Sequence, residues 1–298
     1  MKNFFRYFLY ASLIFLVYAL IKADYLKIPV LFSYSFLGLS FVALFAGFIT
    51  YCISWKKTLE YAGYPVTTAH AISSTGLSVF GKYIPGKIWM ILGEAGYLSN
   101  IYGYPIDKLV SANFNAQLLS LWTGLLTGSA GLYMIDGFGI WGMALGGLWL
   151  ALTFVLFTNF LHRFAETVLK KILGKEYTIP QFAFSEIIKL LPSYFGFWFF
   201  WALSFYFFST ALSPEPVSVA AGLGFPLSVT LGIIVIISPG GIGVREGFLV
   251  SYLTLAGFDL AYATTIAVAS RLWYLTGEFF IFLLGFFLDR KKKSVISA

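Results

Sequence analysis

The sequence predicts an all-α polytopic membrane protein: six spanning helices plus two re-entrant helical hairpins in an inverted-topology repeat. Three observations lead there. Of the 298 residues, 59% are hydrophobic and only 11% are charged, where a soluble domain carries about 25% charged residues. The apolar residues fall in runs of spanning length, with a mean hydropathy of +0.83. Two runs are interrupted by Gly, Pro and charge, at Gly81-Lys82-Tyr83-Ile84-Pro85-Gly86-Lys87 and at Ser238-Pro239-Gly240-Gly241-Ile242-Gly243-Val244-Arg245-Glu246-Gly247. Charge inside a bilayer is costly and marks a candidate functional site.

A spanning helix needs roughly 20 apolar residues to cross about 30 Å of hydrocarbon. Residues 4–21, 30–54, 109–135, 138–160, 184–208 and 260–288 meet that measure. The first run has no small-x-small cleavage site before Lys22 and reads as a retained span rather than a signal peptide. The last is long enough to tilt. Residues 66–80 and 88–100 are apolar but short, and they flank the first motif. Residues 217–237 carry Gly222, Gly224 and Pro226, and 248–257 is too short to cross. Each pair reads as a re-entrant hairpin with its motif at the tip.

The two halves, 1–136 and 137–298, then each run span, span, hairpin, span, within a single transmembrane domain. Lys2, Arg6, Lys56, Lys57, Arg163, Lys170, Lys171, Lys175 and the run Arg290–Lys293 all fall on one side. The positive-inside tendency makes that side, and both termini, cytoplasmic. Asp136, Glu215 and Asp259 fall opposite; Lys22 and Lys27 are exceptions in a short outer turn. Opposed hairpins would bring their tips together near the midplane, where irregular backbone survives only inside protein or beside water.

Several function classes drop out. The net charge of +7 comes mostly from loop Lys and Arg, so it is no nucleic-acid footprint. Cys52 is the sole cysteine, and His70 and His162 are the only histidines, so neither a disulfide nor a metal cluster is expected. The string at 81–87 is nearly a phosphate-binding loop, but Ile88 stands where Mg²⁺ coordination needs Ser or Thr. No nucleotide site and no cofactor are expected. Glycine N–H groups and a helix N-terminus can still hold a phosphate.

The candidate substrate-binding residues are those of the two tips and their partners. Lys82, Tyr83, Pro85, Gly86 and Lys87 come from the first tip. Pro239, Gly240, Gly241, Gly243, Arg245 and Glu246 come from the second. Glu94 lies on the return limb of hairpin one. Arg271, Tyr274 and Glu278 share a face of the last span. Four cations, Lys82, Lys87, Arg245 and Arg271, face three carboxylates, and the positive excess favours phosphate. Arg245 suits bidentate phosphate contact, but the residue types also leave open pairing with Glu246 or a surface position. Asn113, Asn115 and Gln117 form a polar stripe that serves equally as helix glue or ligand contact. Ser73, Ser74, Thr75 and Ser78 allow close packing in hairpin one or line a pore, Gly142, Gly146 and Gly147 read as a helix-packing face, and His70 as a satisfied histidine.

At these residues the chain resembles the lysylphosphatidylglycerol synthase transmembrane-region family, the membrane part of the bacterial multiple peptide resistance factor. The resemblance rests on 81–87, on Pro239–Gly247 and on Arg271 followed by aromatics, and it spans essentially the whole chain. It implies movement of lipids across the cytoplasmic membrane: aminoacylated or other anionic phospholipid, or polyprenyl-phosphate-linked sugar. The chain ends at Ala298 with no soluble aminoacyl-transfer domain, so synthesis of lysylphosphatidylglycerol is not expected.

The expected function is therefore a non-enzymatic lipid flippase or scramblase with no catalytic residue, driven by a gradient or passive. Its partners are the lipid substrate and glycan- or lipid-modifying enzymes, with oligomerisation left open. Two alternatives stand beside it: a membrane enzyme acting on a polyprenyl phosphate with Glu246 or Glu94 as base, and a non-transporting scaffold of a glycan-assembly complex.

Overall fold

The structure is a computed structural model that describes residues 30–84, 88–158, 167, 182–234 and 243–296. Helices α1 (Tyr34–Tyr61), α2 (Thr68–Ser78), α3 (Trp89–Tyr102), α4 (Ile106–Asp136), α5 (Ile140–Phe157), α6 (Phe184–Ala211), α7 (Val219–Ile234), α8 (Val244–Leu255) and α9 (Leu260–Ile296) account for nearly all of them, with a 3₁₀ turn at Val79–Tyr83. There is no strand among the described residues. Four helices are long and apolar enough to cross a membrane: α1, α4, α6 and Leu260–Arg290 of α9. The chain is a multi-pass helical membrane protein.

The helices stand close to where the apolar runs put them, and the differences have local causes. The 4–21 run lies outside the described residues. α1 begins at Tyr34 because Ser33 caps it, and it runs on to Tyr61 past Lys56 and Lys57. Lys56 pairs with Glu60 one turn on, which suits an exposed helix end. α5 is shorter than the 138–160 run and belongs with α7 among the shorter apolar helices. α2 starts at Thr67, whose hydroxyl accepts the His70 N–H at 3.2 Å. α3 stops at Gly103, which adopts φ 70°, a left-handed conformation that glycine takes without a Cβ clash. α9 starts where the Asp259 carboxylate accepts the Ala261 N–H at 2.8 Å.

One correction concerns the second motif. Arg245 and Glu246 are not loop residues. They occupy the first turn of α8, which begins immediately after Gly243 at φ 81°.

The helix partners come in matching sets. α1 lies along α6, joined by Thr58 Oγ1 and Tyr194 Oη at 2.8 Å and by the stacked rings of Tyr51 and Trp201. The limb α2 lies along α9, and the limb α7 lies along α4. α2 packs on α3 as α7 packs on α8. Each limb therefore rests on the long helix of the opposite half of the chain.

Small residues permit both approaches. A Cβ on Gly76 would strike the Ile281 carbonyl of α9, and one on Gly128 would strike the Leu227 backbone of α7. Ser73 Oγ donates to the Gly285 carbonyl at 3.1 Å, and Ser73, Ser74, Thr75 and Ser78 are all buried. Gly142 and Gly146 meet Tyr133 of α4, whose hydroxyl donates to the Gly142 carbonyl at 2.9 Å; Gly147 meets nothing. His70 Nδ1 sits 2.6 Å from Tyr102 Oη.

An aromatic core fills the meeting point of α1, α6, α7 and α9. Phe48, Trp201, Phe225 and Tyr274 are its centre, with Tyr274 5.1 Å from Phe48, 5.5 Å from Trp201 and 5.3 Å from Phe225 between ring centroids. Such rings bury large areas with fixed geometry, so Tyr274 is held rigidly.

Candidate functional site

Charged side chains from the end of the 3₁₀ turn, the start of α8 and the middle of α9 converge on Tyr274. Lys82 forms an ion pair with Glu278, whose second oxygen accepts the Tyr83 hydroxyl at 2.8 Å. The Lys82 ammonium lies 5.0 Å from the centroid of the Tyr274 ring. Arg245 lies over the same ring at 4.9 Å and over Phe225 at 4.4 Å. Arg271 pairs with Glu246. Two cations from sequence-distant segments thus share one aromatic ring, a contact worth about 2 kcal/mol per cation when desolvated.

The pairing differs from the pattern the residue types left open. Glu246 neutralises Arg271 rather than Arg245, and its other oxygen accepts the Gly243 N–H at 2.6 Å, capping α8. A carboxylate there also suits the positive end of the helix. Glu278 neutralises Lys82. Arg245 is left: it is 5% exposed and lies over two rings, and its Nε and Nη2 have no hydrogen-bond partner among the described residues.

Among the described residues the cluster has three cations, Lys82, Arg245 and Arg271, and two carboxylates, Glu246 and Glu278. The excess positive charge resides on Arg245. Buried polar groups are almost always satisfied, and an arginine with two free N–H directions in a nonpolar setting is prepared for an anion.

Lys82, Tyr83, Arg245, Glu246, Arg271, Tyr274 and Glu278 are therefore brought together as the sequence suggested, with Gly243 at the edge as a cap. Pro85, Gly86, Lys87, Pro239, Gly240 and Gly241 lie outside the described residues. Glu94 bonds elsewhere. It is 1% exposed, accepts the Thr75 hydroxyl at 2.8 Å and the Asn113 amide at 2.5 Å, and makes no bond to the cluster around Tyr274. Phe225 was missed by the sequence reading: an unremarkable Phe before Pro226 carries no pattern that separates it from the other 32.

Glu246 is engaged by a cation and a helix end, and Glu278 by a cation and a phenol. Among the described residues no group of three His, Cys, Asp or Glu could hold a metal ion. Comparison with known proteins matches residues 4–285 to the family described as lysylphosphatidylglycerol synthase TM region. No curated protein and no solved structure is similar to the chain. With the motif pair, the helical architecture and a match over nearly the whole length, this chain belongs to the lysylphosphatidylglycerol synthase TM region family.

Proposed function

We propose that the protein is a lipid flippase or scramblase of the cytoplasmic membrane, with both termini in the cytoplasm. It moves a phosphate-containing lipid, a polyprenyl-phosphate-linked sugar or an aminoacylated or anionic phospholipid. The headgroup passes the cluster around Tyr274 while the chains stay in lipid. In this reading α2–α3 and α7–α8 are re-entrant hairpins of an inverted repeat. The reciprocal packing of each hairpin limb on the long helix of the other half supports it.

The observation that carries the proposal is Arg245, a buried guanidinium over the rings of Phe225 and Tyr274, with two donor nitrogens that have no partner among the described residues. A phosphate fits this group twice over. It supplies the missing negative charge, and its paired oxygens match the guanidinium fork. Arg271 and Lys82 are already neutralised and serve as exchangeable partners. A phosphate arriving at Arg245 competes with Glu246 and Glu278 for them, which offers a path for handing the headgroup on. The string at 81–87 lacks the hydroxyl residue an ATP loop needs, so transport in this reading draws on a gradient or runs passively, and no new covalent product forms.

Native mass spectrometry tests the site. The purified protein is offered phosphatidylglycerol, a polyprenyl phosphate and, as the phosphate-free control, diacylglycerol. Retention of both phosphate lipids over diacylglycerol is expected. Arg245→Ala weakens that retention by roughly 10- to 100-fold, the worth of a charge-assisted hydrogen-bond pair. Equal retention of diacylglycerol contradicts the proposal.

A further inference from the structure

Glu94 lies outside the cluster around Tyr274, and its surroundings have a character of their own. The carboxyl is buried at 1% exposure and accepts two hydrogen bonds, from Thr75 on α2 and from Asn113 on α4. No Lys or Arg among the described residues pairs with it. The other groups within its electrostatic reach are Tyr51 and Cys52 on α1 and Tyr194 on α6. None of these is a cation. A carboxylate buried without a cation costs several kcal/mol, and neutral hydrogen-bond donors recover only part of that.

Beside it runs a narrow cleft between α1, α4 and α6, lined by Tyr51, Ser54, Trp55, Asn113, Gln117 and Tyr194. It has room for about one water molecule. Two buried polar atoms on its lining residues have no partner among the described residues: Trp55 Nε1, a donor, and Asn113 Oδ1, an acceptor. Trp55 is 3% and Asn113 2% exposed. Asn113 belongs to both places, since its amide nitrogen holds Glu94. Donor and acceptor together suit water, which does both, and a sugar ring is far too large for the space.

We infer that Glu94 is a proton-binding site, reached by water through this cleft, which couples headgroup movement to proton movement. The site stands apart from the transport reading; the coupling rests on it. On loading, a hydronium in the cleft gives up its proton and an O–H bond forms on a Glu94 carboxyl oxygen, leaving water. Release reverses both changes. Asn113 can serve both states: its Nδ2 donates to the carboxylate, and after a flip of the amide its Oδ1 accepts from the protonated acid. Thr75, whose hydroxyl can donate or accept, adapts in the same way. Asn113 is thus a positioning residue, and Glu94 the binding group.

The full-length protein in liposomes of phosphatidylglycerol and phosphatidylethanolamine carries the test. Infrared difference spectra are taken from acidic to alkaline pH on the wild type, Glu94→Gln and Asn113→Leu. Expected are a protonated-carboxyl stretching band that titrates in the wild type, disappears in Glu94→Gln and moves along the pH axis in Asn113→Leu. Proton entry under an imposed pH gradient, read by a trapped pH-sensitive dye, should fall at least tenfold in Glu94→Gln. An identical titrating band in Glu94→Gln overturns the site, and so does a wild type whose carboxyl bands respond to sodium but not to pH. A titrating Glu94 with proton entry unchanged in Glu94→Gln overturns the coupling. Failure here leaves phosphate-lipid retention by Arg245 intact, so the two readings fall separately.

Discussion

At the residue scale the molecule is organised by which cations of the cluster have carboxylate partners. Among the described residues Lys82 and Arg271 have them, and Arg245 does not. Removing one member of a buried pair strands the other, at a cost of roughly 3–5 kcal/mol. Glu278→Ala should therefore lower thermal stability in detergent steeply, by stranding Lys82 and the Tyr83 hydroxyl. The double variant Lys82→Met with Glu278→Leu should recover most of the loss, because well-packed apolar residues often replace an ion pair without penalty. Equal melting temperatures for wild type and Glu278→Ala would contradict the pairing. Arg245→Lys should not restore phosphate-lipid retention, since an ammonium lacks the planar fork and the stacking surface; full recovery in native mass spectrometry would count against the bidentate geometry. Much of this cluster was legible in the sequence, because charge within apolar runs is conspicuous. Its partners were not. Glu246 sits next to Arg245 in sequence, yet the first turn of a helix points adjacent side chains in different directions, and Glu246 reaches α9 instead. Glu94 looked like a third carboxylate of the cluster because it lies just beyond the first motif. Its neighbours Thr75 and Asn113 are polar without charge, and their residue types left packing and contact roles both open.

At the element scale, glycine sets how the helices approach. Gly76 on α2 and Gly128 on α4 each let a shorter helix and a long one touch backbone to backbone. Gly76→Leu and Gly128→Leu should each cost about 1–3 kcal/mol or more, the range for overpacking a tight interface. Gly147→Leu on α5, where a Cβ meets nothing within 4 Å, should leave the melting curve unchanged. Similar curves for all three variants would show that the close approaches do not matter. Thr67, Gly103 and Asp259 are the usual cap and stop residues, and each stands at a helix end. At the start of α8 a positive φ at Gly243 and the Glu246 cap take that role.

At the scale of the whole molecule, the reciprocal packing of α2 on α9 and α7 on α4 ties the halves together. The inverted-repeat reading makes a sidedness prediction. In that reading exposed positions at the end of α1 and the start of α4 face the cytoplasm, and those after α6 and before α9 face outward. Single cysteines at Glu60 and Asp107 should react with a membrane-impermeant maleimide only from the cytoplasmic side, and those at Glu215 and Asp259 only from outside. Native Cys52 is fully buried and gives little background. Labelling of all four from one side would contradict the opposed halves. The long apolar helices were legible because apolar length reports directly on the capacity to span. The interlock was not, since small residues mark a close approach without naming the helix that makes it. The most direct test of transport is bleaching by dithionite of fluorescently headgroup-labelled phosphatidylglycerol in liposomes carrying the purified protein. Wild type should make the inner-leaflet label accessible, and Arg245→Ala, folded by its elution profile, should leave it protected as in protein-free vesicles. Equal bleaching with wild type and Arg245→Ala would contradict the assignment of Arg245 as the phosphate-binding group of a lipid transporter.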